Sequence, residues 1–201
     1  MNVEGVSMFF GTRQILRSVS FELPAGRSLA IMGASGAGKS TLLSIIAGIE
    51  EPAMGRVTGV APERIQWVLQ SAPVLPRRSA LDNVMLGALA QGVEVPAARI
   101  NALRAMRELG VEHLARTSLF RLSGGERQRV ALGRALAVDS DLILADEPTA
   151  SLDYVAKERV IDALHRAVRL NRRILVATHD QDVADACDVT MHLRNGMLVP
   201  R

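Results

Sequence analysis

The sequence predicts an α/β fold with a mostly parallel sheet, and three observations lead to this prediction. Short apolar runs alternate with amphipathic stretches along most of the chain. A glycine-rich loop at residues 33–38 lies between an apolar run and a longer apolar-rich stretch. Another apolar run, at residues 142–145, ends in two adjacent carboxylates. The chain has 201 residues, of which 48% are hydrophobic, so we expect a single domain over residues 1–201 with a large core.

The predicted elements follow in chain order. Residues 29–32 are uniformly apolar and predict a buried strand, and the stretch 40–49 predicts a helix that ends before Pro52 and Gly55. The return of the α/β pattern after residue 121 predicts the second half of the sheet. The remaining predictions are strands at 64–69, 142–145 and 174–178, helices at 125–138 and 155–170, and a closing hairpin of 189–193 and 197–199 around Asn195-Gly196.

The middle of the chain has a different character. Apolar residues there recur at helical spacing, among them Ile100, Leu103, Met106 and Leu109. We therefore expect an α-helical subdomain at residues 81–120, inserted within the domain.

Composition and charge restrict the classes of function. The net charge of +3 is small and the basic residues are scattered, so we expect no nucleic-acid partner. The single cysteine, Cys187, has no second cysteine for a disulfide and no partner for a metal site. No signal peptide is visible, and no apolar stretch approaches the roughly 18 residues that a membrane span needs. Any role at a membrane would therefore depend on a separate partner.

Residues 33–41, G-A-S-G-A-G-K-S-T, satisfy the phosphate-binding pattern G-x-x-x-x-G-K-[ST]; we call them the phosphate loop. Glycines let backbone N–H groups approach phosphate oxygens, and the following helix directs the positive end of its dipole at them. Lys39 is suited to the β- and γ-phosphates, Ser40 to Mg²⁺ and Thr41 to the α-phosphate. A tight turn could use the same glycines, but the position between a strand and a helix favours a nucleotide. The loop residues expected to bind it are Gly33, Ser35, Gly36, Gly38, Lys39, Ser40 and Thr41.

Two carboxylates follow the predicted strand at 142–145. Asp146 and Glu147 are costly at the end of a buried strand unless a cation or a substrate meets them, and ligands bind at that edge of an open α/β sheet. Asp146 is suited to hold Mg²⁺ through its water shell. Glu147 is suited to polarise an attacking water, as a general base or an orienting acceptor. The alternative is a pair of acids that cap the turn before Pro148.

Residues 122–128, L-S-G-G-E-R-Q, are the most specific segment of the chain. Ser123 and Glu126 have the spacing of a capping box, so the segment could be only a helix start. A capped helix N-terminus with two glycines is also an anion site, and it could serve the nucleotide of a second molecule. With this segment, the sequence resembles the ATP-binding domains of ABC transporters over nearly its whole length. Residues 122–128 match the signature motif of that family, and we call them the signature segment.

The resemblance assigns the other motifs. The phosphate loop corresponds to Walker A, residues 142–147 to Walker B and residues 151–153, with Asp153, to the D-loop. Gln70 matches the Q-loop glutamine and His179 the switch histidine, although each could be an ordinary polar residue at a strand end, and Asp153 could also cap a helix. The residue expected to stack on adenine is Phe10. Because Phe9 is adjacent, one of the two rings should face the core.

The resemblance also implies a fold and a function. The fold is the P-loop NTPase fold of ABC type, with an inserted helical subdomain and a small antiparallel β subdomain, shortened because residues 55–70 leave little room. The activity is a Mg-dependent ATPase, with ATP and Mg²⁺ as cofactors. Two copies, or one copy and a similar ATPase, would pair head to tail, so that Ser123 and Gly125 of one face the ATP of the other. The residues expected to act in catalysis are Glu147, His179, Gln70 and Lys39, and those expected at the metal are Ser40, Gln70 and Asp146.

By this resemblance, the subunit would power a separate transmembrane permease from the cytoplasmic face of the membrane. The segment at 71–83, with Leu75, and the helical subdomain are expected to receive a permease helix. The sequence L-A-D-E-P-T at 144–149 looks most like the lipoprotein-release and macrolide-export branch. The alternative is an ABC-type ATPase that serves as a nucleotide-dependent dimerisation switch in division, repair or ribosome-associated complexes. Substrate and transport direction are set by the permease, so this sequence does not define them.

Overall fold

The computed structural model describes residues 1–71, 74–150 and 152–200. Two sheets and six α-helices make up the described fold. The strands are β1 (Asn2–Phe10), β2 (Arg13–Glu22), β3 (Ser28–Met32), β4 (Met54–Thr58), β5 (Ile65–Val68), β6 (Leu142–Asp146), β7 (Arg173–Thr178), β8 (Val189–Arg194) and β9 (Met197–Pro200). The helices are α1 (Lys39–Ile46), α2 (Ala80–Ala90), α3 (Val95–Glu108), α4 (Gly124–Leu136), α5 (Tyr154–Arg169) and α6 (Gln181–Asp185).

The larger sheet has six strands in the order β5-β6-β7-β3-β8-β9. Its first five strands are parallel, and β9 returns antiparallel to β8 through the turn at Asn195 and Gly196. This arrangement confirms the α/β fold class with a mostly parallel sheet, and it also confirms the closing hairpin. The carboxyl ends of β3, β6 and β7 lie side by side, so the loops that follow these strands share one edge of the sheet.

Alternation along the central strands divides the core into two parts. In β6, Ile143 and Ala145 belong to the cluster formed with helices α2 to α5. Leu142 and Leu144 face the opposite side, where α1 and the smaller sheet cover them. All four side chains are fully buried. A strand that is covered on both faces has no polar positions to alternate with, which explains why the sequence shows a continuous apolar run there.

The smaller sheet is antiparallel, with the strand order β2-β1-β4. It confirms the small antiparallel β subdomain, and only a short 3-10 turn at Pro62–Arg64 separates β4 from the parallel sheet. The sequence analysis did not predict β1 and β2, whose pairing contains several register shifts. Gly55 sits at φ +85°, and an added Cβ would lie 2.5 Å from the Gly5 carbonyl carbon, so the close pairing of β4 with β1 requires glycine there.

The middle of the chain is helical, and α2, α3 and α4 pack on one another. Ser79 caps α2 in a capping box with Asp82. Helices α1 and α6 differ from the sequence predictions. Helix α1 ends at Ile46 rather than at residue 49, because Gly48 adopts φ +72° and its N–H bonds to the Ile45 carbonyl. The short helix α6, capped by Asp180, was not predicted.

In the part of the chain that the structure describes, no helix is both long enough and apolar enough to span a bilayer.

Candidate functional site

The carboxyl edge of the parallel sheet gathers most of the predicted site residues around one cavity. The cavity measures about 640 Å³ and opens to solvent. Every predicted residue lines it except Ser123, Gly125 and Asp153. The predicted residues on its wall are Phe10, Gly33, Ser35, Gly36, Gly38, Lys39, Ser40, Thr41, Gln70, Asp146, Glu147 and His179.

The phosphate loop joins β3 to α1 and wraps around the Lys39 ammonium. The buried Nζ of Lys39 donates to the Gly33 carbonyl at 2.7 Å and to the Ala34 carbonyl at 3.3 Å. Gly38 caps α1 at φ +103°, and an added Cβ would lie 2.9 Å from Ile15 Cγ2. A left-handed backbone and a neighbouring β2 side chain therefore both require glycine at this position. The loop leaves the N-terminus of α1 open towards the cavity, which is the arrangement that binds phosphate in proteins.

Ser40 and Asp146 bring two oxygen ligands together at the floor of the cavity. The Ser40 hydroxyl donates to Asp146 Oδ2 at 2.6 Å. Burial raises the pKa of Asp146 above its ordinary value, although the Ser40 hydrogen bond and the Lys39 charge oppose the shift. A buried carboxylate next to a hydroxyl fits a hard divalent cation, because oxygen ligands suit Mg²⁺ and a nearby cation compensates the buried charge.

No cluster of three or more His, Cys, Asp or Glu side chains able to hold a metal occurs among the described residues. Mg²⁺ commonly binds through one or two protein oxygens and completes its coordination with waters and substrate phosphates.

Glu147 lies at the centre of the site and is buried. Its Oε2 accepts from the Thr178 hydroxyl at 3.1 Å, and its Oε1 lies 2.9 Å from His179 Nδ1. The Lys39 ammonium is 3.8 Å from the same Oε1. The Glu147 backbone adopts φ +49°, an uncommon conformation for a residue with a side chain. The carboxylate is therefore held between the end of β7 and the phosphate loop.

The two adjacent phenylalanines are both exposed, Phe9 at 41% and Phe10 at 52%. The expectation that one of them faces the core was wrong, because β1 is covered by the core only up to Met8 and its last two residues extend beyond it. Of the two, Phe10 is the one that lines the 640 Å³ cavity. In the hairpin with β2, Phe10 pairs with Arg13, so an aromatic ring and a guanidinium group flank one end of the cavity.

The signature segment lies outside the cavity. Ser123 caps α4 in a capping box, with the Glu126 N–H donating to Ser123 Oγ and the Ser123 N–H donating to Glu126 Oε2 at 2.7 Å. The Ser123 N–H and the Ser123 hydroxyl both donate to Glu126 Oε2, and they hold the pKa of Glu126 below its usual range. The exposed tip at Ser123 and Gly124 points to solvent, and its backbone N–H groups are those of a helix N-terminus.

Gln70 and Asp153 occupy distinct places. Gln70 lines the cavity and also a neighbouring groove of about 570 Å³ between the segment that follows it and α4. Phe120, 81% exposed, lies on the wall of this groove. Asp153 caps α5 by accepting from the Ala156 N–H at 2.8 Å, as the sequence alternative anticipated. Its neighbour Ser151 lies outside the described residues, as do Ala72 and Pro73 of the segment at 71–83.

The sequence analysis gave no role to several residues that complete the site. Arg13 and Ile15 line the cavity from β2, and no sequence motif indicates them. The Thr178 hydroxyl donates to the Glu147 carboxylate, and the Gln128 side-chain amide donates to the Glu147 backbone carbonyl. Thr178 lies next to His179, and Gln128 is the last residue of the signature segment. Their positions beside these motifs were the only indication in the sequence that they belong to the site.

This chain is similar to several known proteins. The family model described as ABC transporter matches residues 16–150. The lipoprotein-releasing system ATP-binding protein LolD of Gluconobacter oxydans is 37% identical, over 100% of this chain and 95% of its own. The aliphatic sulfonates import ATP-binding protein SsuB 2 of Streptomyces avermitilis is 40% identical, over 92% of this chain and 72% of its own. The dimeric, post-hydrolysis structure of the ATP-binding cassette MJ0796 bound to ADP and Pi superposes with a TM-score of 0.88 and 28% identity, over 98% of this chain and 95% of that one.

Proposed function

This chain belongs to the ABC transporter family as an ATP-binding and ATP-hydrolysing subunit, and from that premise we propose how its residues perform the cycle. Relatives named for lipoprotein release and for sulfonate import are both transporter subunits, so a dimerisation switch outside transport is not favoured. The observation that carries the proposal is the single cavity shared by the phosphate loop, the two Walker B carboxylates and His179.

ATP binds with its phosphates in the phosphate loop. Backbone N–H groups and the N-terminus of α1 meet the phosphate oxygens, and Lys39, already centred under the loop, supplies a full positive charge. Thr41 reaches the α-phosphate. At the far end of the cavity, the Phe10 ring stacks on adenine, where stacking is worth roughly 1–3 kcal/mol.

Ser40, Asp146 and Gln70 are the residues that would hold Mg²⁺ in this cavity. When bound, the ion neutralises charge on the β- and γ-phosphates. Glu147 orients the attacking water and accepts its proton. His179, whose ring is exposed and adjacent to the Glu147 carboxylate, stabilises charge that develops on the γ-phosphate.

Two copies, or this chain and a similar ATPase, pair head to tail. The signature tip lies outside its own cavity and exposes helix N–H groups, so it suits the γ-phosphate of a nucleotide held by the other copy. Ser123 and Gly125 contact that phosphate, and Asp153 lies at the same interface. Release of the cleaved phosphate removes the bridge between the two copies, and the pair opens.

The motion passes to a separate permease at the cytoplasmic face of the membrane. We propose that the 570 Å³ groove beside Gln70 receives a permease helix, because exposed Phe120 and the partly exposed Leu75 lie on or next to it. The chain would act as one domain over residues 1–201, with residues 81–120 as the helical subdomain that forms one side of the groove. A photocrosslinker at Leu75 should label the membrane subunit in the assembled transporter. Labels found only from other faces would reject this docking site.

The cycle is tested by Glu147→Gln. The Gln side chain has the shape and length of Glu but cannot act as a base. ATP binding should therefore persist while turnover falls by about 10²-fold or more. ATP should then trap a dimer, visible by size-exclusion chromatography with light scattering. Glu51→Gln, in an exposed loop away from the cavity, is the matched control and should behave as the unmodified protein. A monomeric Glu147→Gln protein with full turnover would refute the cycle.

A further inference from the structure

Gln128 makes a direct hydrogen bond to the backbone of Glu147. It is the last residue of the signature segment, it lies on α4, and only 6% of its surface is exposed. Its side-chain Nε2 donates to the Glu147 carbonyl oxygen at 2.6 Å. The two residues are separated by 19 positions in the chain, so the contact depends on how α4 packs against the end of β6.

The peptide that Gln128 holds is in an unusual conformation. Glu147 adopts φ +49°, which for a residue with a Cβ is unfavourable by roughly 1–2 kcal/mol. Its N–H donates to the Ala177 carbonyl at 2.8 Å, which fixes one side of the residue to β7. Its carbonyl accepts from Gln128 and, at 3.2 Å, from the Ala150 N–H. Among the described residues, Gln128 therefore supplies the shorter of the two hydrogen bonds to the Glu147 carbonyl.

The helix that carries Gln128 also carries the signature tip. Ser123 caps α4, and Gln128 follows five positions later, about 7.5 Å along the axis at 1.5 Å per residue. A small rotation or shift of α4 therefore moves both groups together. The N-terminal end of α4 points to solvent, where we placed the partner's nucleotide. About one and a half turns further along α4, Gln128 contacts Glu147, the residue that orients water in the cavity of the same copy.

We propose that Gln128 is a positioning residue: it fixes the Glu147 peptide and thereby makes the direction of the Glu147 carboxylate depend on the position of the signature helix. The inference rests on the proposed role of Glu147 in hydrolysis. It adds a path within one copy, from the helix tip at Ser123 to the carboxylate that acts on that copy's own ATP.

A merely structural role for Gln128 predicts a different outcome. A buried polar group satisfied by a carbonyl contributes to folding, so its loss would lower thermal stability and alter nucleotide binding and turnover together. A positioning role instead lowers kcat and leaves the KM for ATP unchanged, because the phosphate loop and Phe10 do not depend on this hydrogen bond. A misplacement of a reacting group by about 1 Å can reduce a rate about 10²-fold.

The experiment compares three substitutions of Gln128 in the full-length protein. Gln128→Met removes the donor at similar length, Gln128→Glu replaces the donor by an acceptor, and Gln128→His restores an N–H at similar reach. We expect kcat to fall about 10- to 100-fold for Met and further for Glu, with partial recovery for His and a KM within about 3-fold throughout. Leu132→Met, a buried volume-conserving change one turn later on α4, is the control and should keep both constants.

Three results would overturn the inference: an unchanged kcat in Gln128→Met, equal losses for Met, Glu and His, or a rise in KM parallel to the fall in kcat. If Gln128→Met does not fold, the comparison of Gln128→Glu with Gln128→His still distinguishes an acceptor from a donor. Glu147→Gln separates this inference from the proposed cycle. An inactive Glu147→Gln beside a fully active Gln128→Met rejects only the positioning role, whereas an active Glu147→Gln rejects the cycle itself.

Discussion

A substitution of Gly124, at the exposed N-terminal tip of α4, should affect the stability of one copy and the activity of a pair in opposite directions. Gly124 is the first residue of α4, and an added Cβ would meet no heavy atom within 4 Å. Its φ lies outside the left-handed range, so alanine fits the backbone without strain. In a helix interior, glycine is less favourable than alanine by roughly 0.5–1 kcal/mol, and this difference is smaller in the first turn. Gly124→Ala should therefore raise the free energy of unfolding by up to about 0.5–1 kcal/mol, or about 1–4 °C in Tm.

The same methyl group should impair hydrolysis. If a partner's γ-phosphate packs against the helix tip, the methyl occupies that contact, and over-packing of this kind costs about 1–3 kcal/mol. Applied to closure of the pair, this corresponds to a loss of about 5- to 150-fold in ATP-driven dimerisation and in turnover at limiting protein concentration. A more stable but less active protein is the expected outcome.

The assay combines thermal unfolding without nucleotide, ATPase turnover, and ATP-dependent dimerisation in a Glu147→Gln background. Gly133→Ala is the matched control, since it makes the same change in the interior of the same helix, and its added Cβ would lie 3.4 Å from Val84 Cγ2, an ordinary contact. Gly133→Ala should leave turnover unchanged. A Gly124→Ala protein with full turnover and unaltered dimerisation would refute the placement of the signature tip at a partner's nucleotide.

Three further predictions follow from the site and the core. Burial raises the pKa of Asp146, so the contribution of this carboxyl group to stability is lost as the pH rises above its unfolded pKa of 3.8 and through its higher folded pKa. Asp146→Asn should therefore raise Tm at pH 7.5 and abolish Mg-dependent turnover. A lower Tm would contradict this reasoning. Phe10→Ala should weaken ATP binding about 5- to 150-fold by loss of base stacking, whereas Phe9→Ala should not, because Phe9 is also exposed but lies outside the cavity. Equal effects of the two substitutions in a fluorescent-nucleotide titration would exclude Phe10 as the stacking residue. Burial raises the pKa of Cys187 to about 11, so its thiol should react slowly with a thiol reagent at pH 8 in the folded protein and rapidly in the unfolded protein. Fast labelling of the folded protein would contradict the raised pKa.

The sequence by itself determined the parts of this protein that are local in the chain. The phosphate loop needs glycines, a lysine and a hydroxyl within a few positions, because one turn between a strand and a helix must surround the phosphates. The acidic pair at Asp146 and Glu147 follows directly from the apolar strand that precedes it. The fold class followed for the same reason, since strands buried on both faces leave continuous apolar runs. The signature segment added the family, and with it the expectation that Gln70 and His179 converge on the same edge.

Tertiary structure alone decided which residues of different elements meet. Both Phe9 and Phe10 extend beyond the core, which covers β1 only up to Met8, so alternation along β1 does not decide their exposure. The left-handed backbone of Glu147 and its contact with Gln128 depend on the packing of α4 against the end of β6. The sequence carries no local pattern for such contacts, because their geometry is the sum of many packing interactions between segments that only the folded chain brings together.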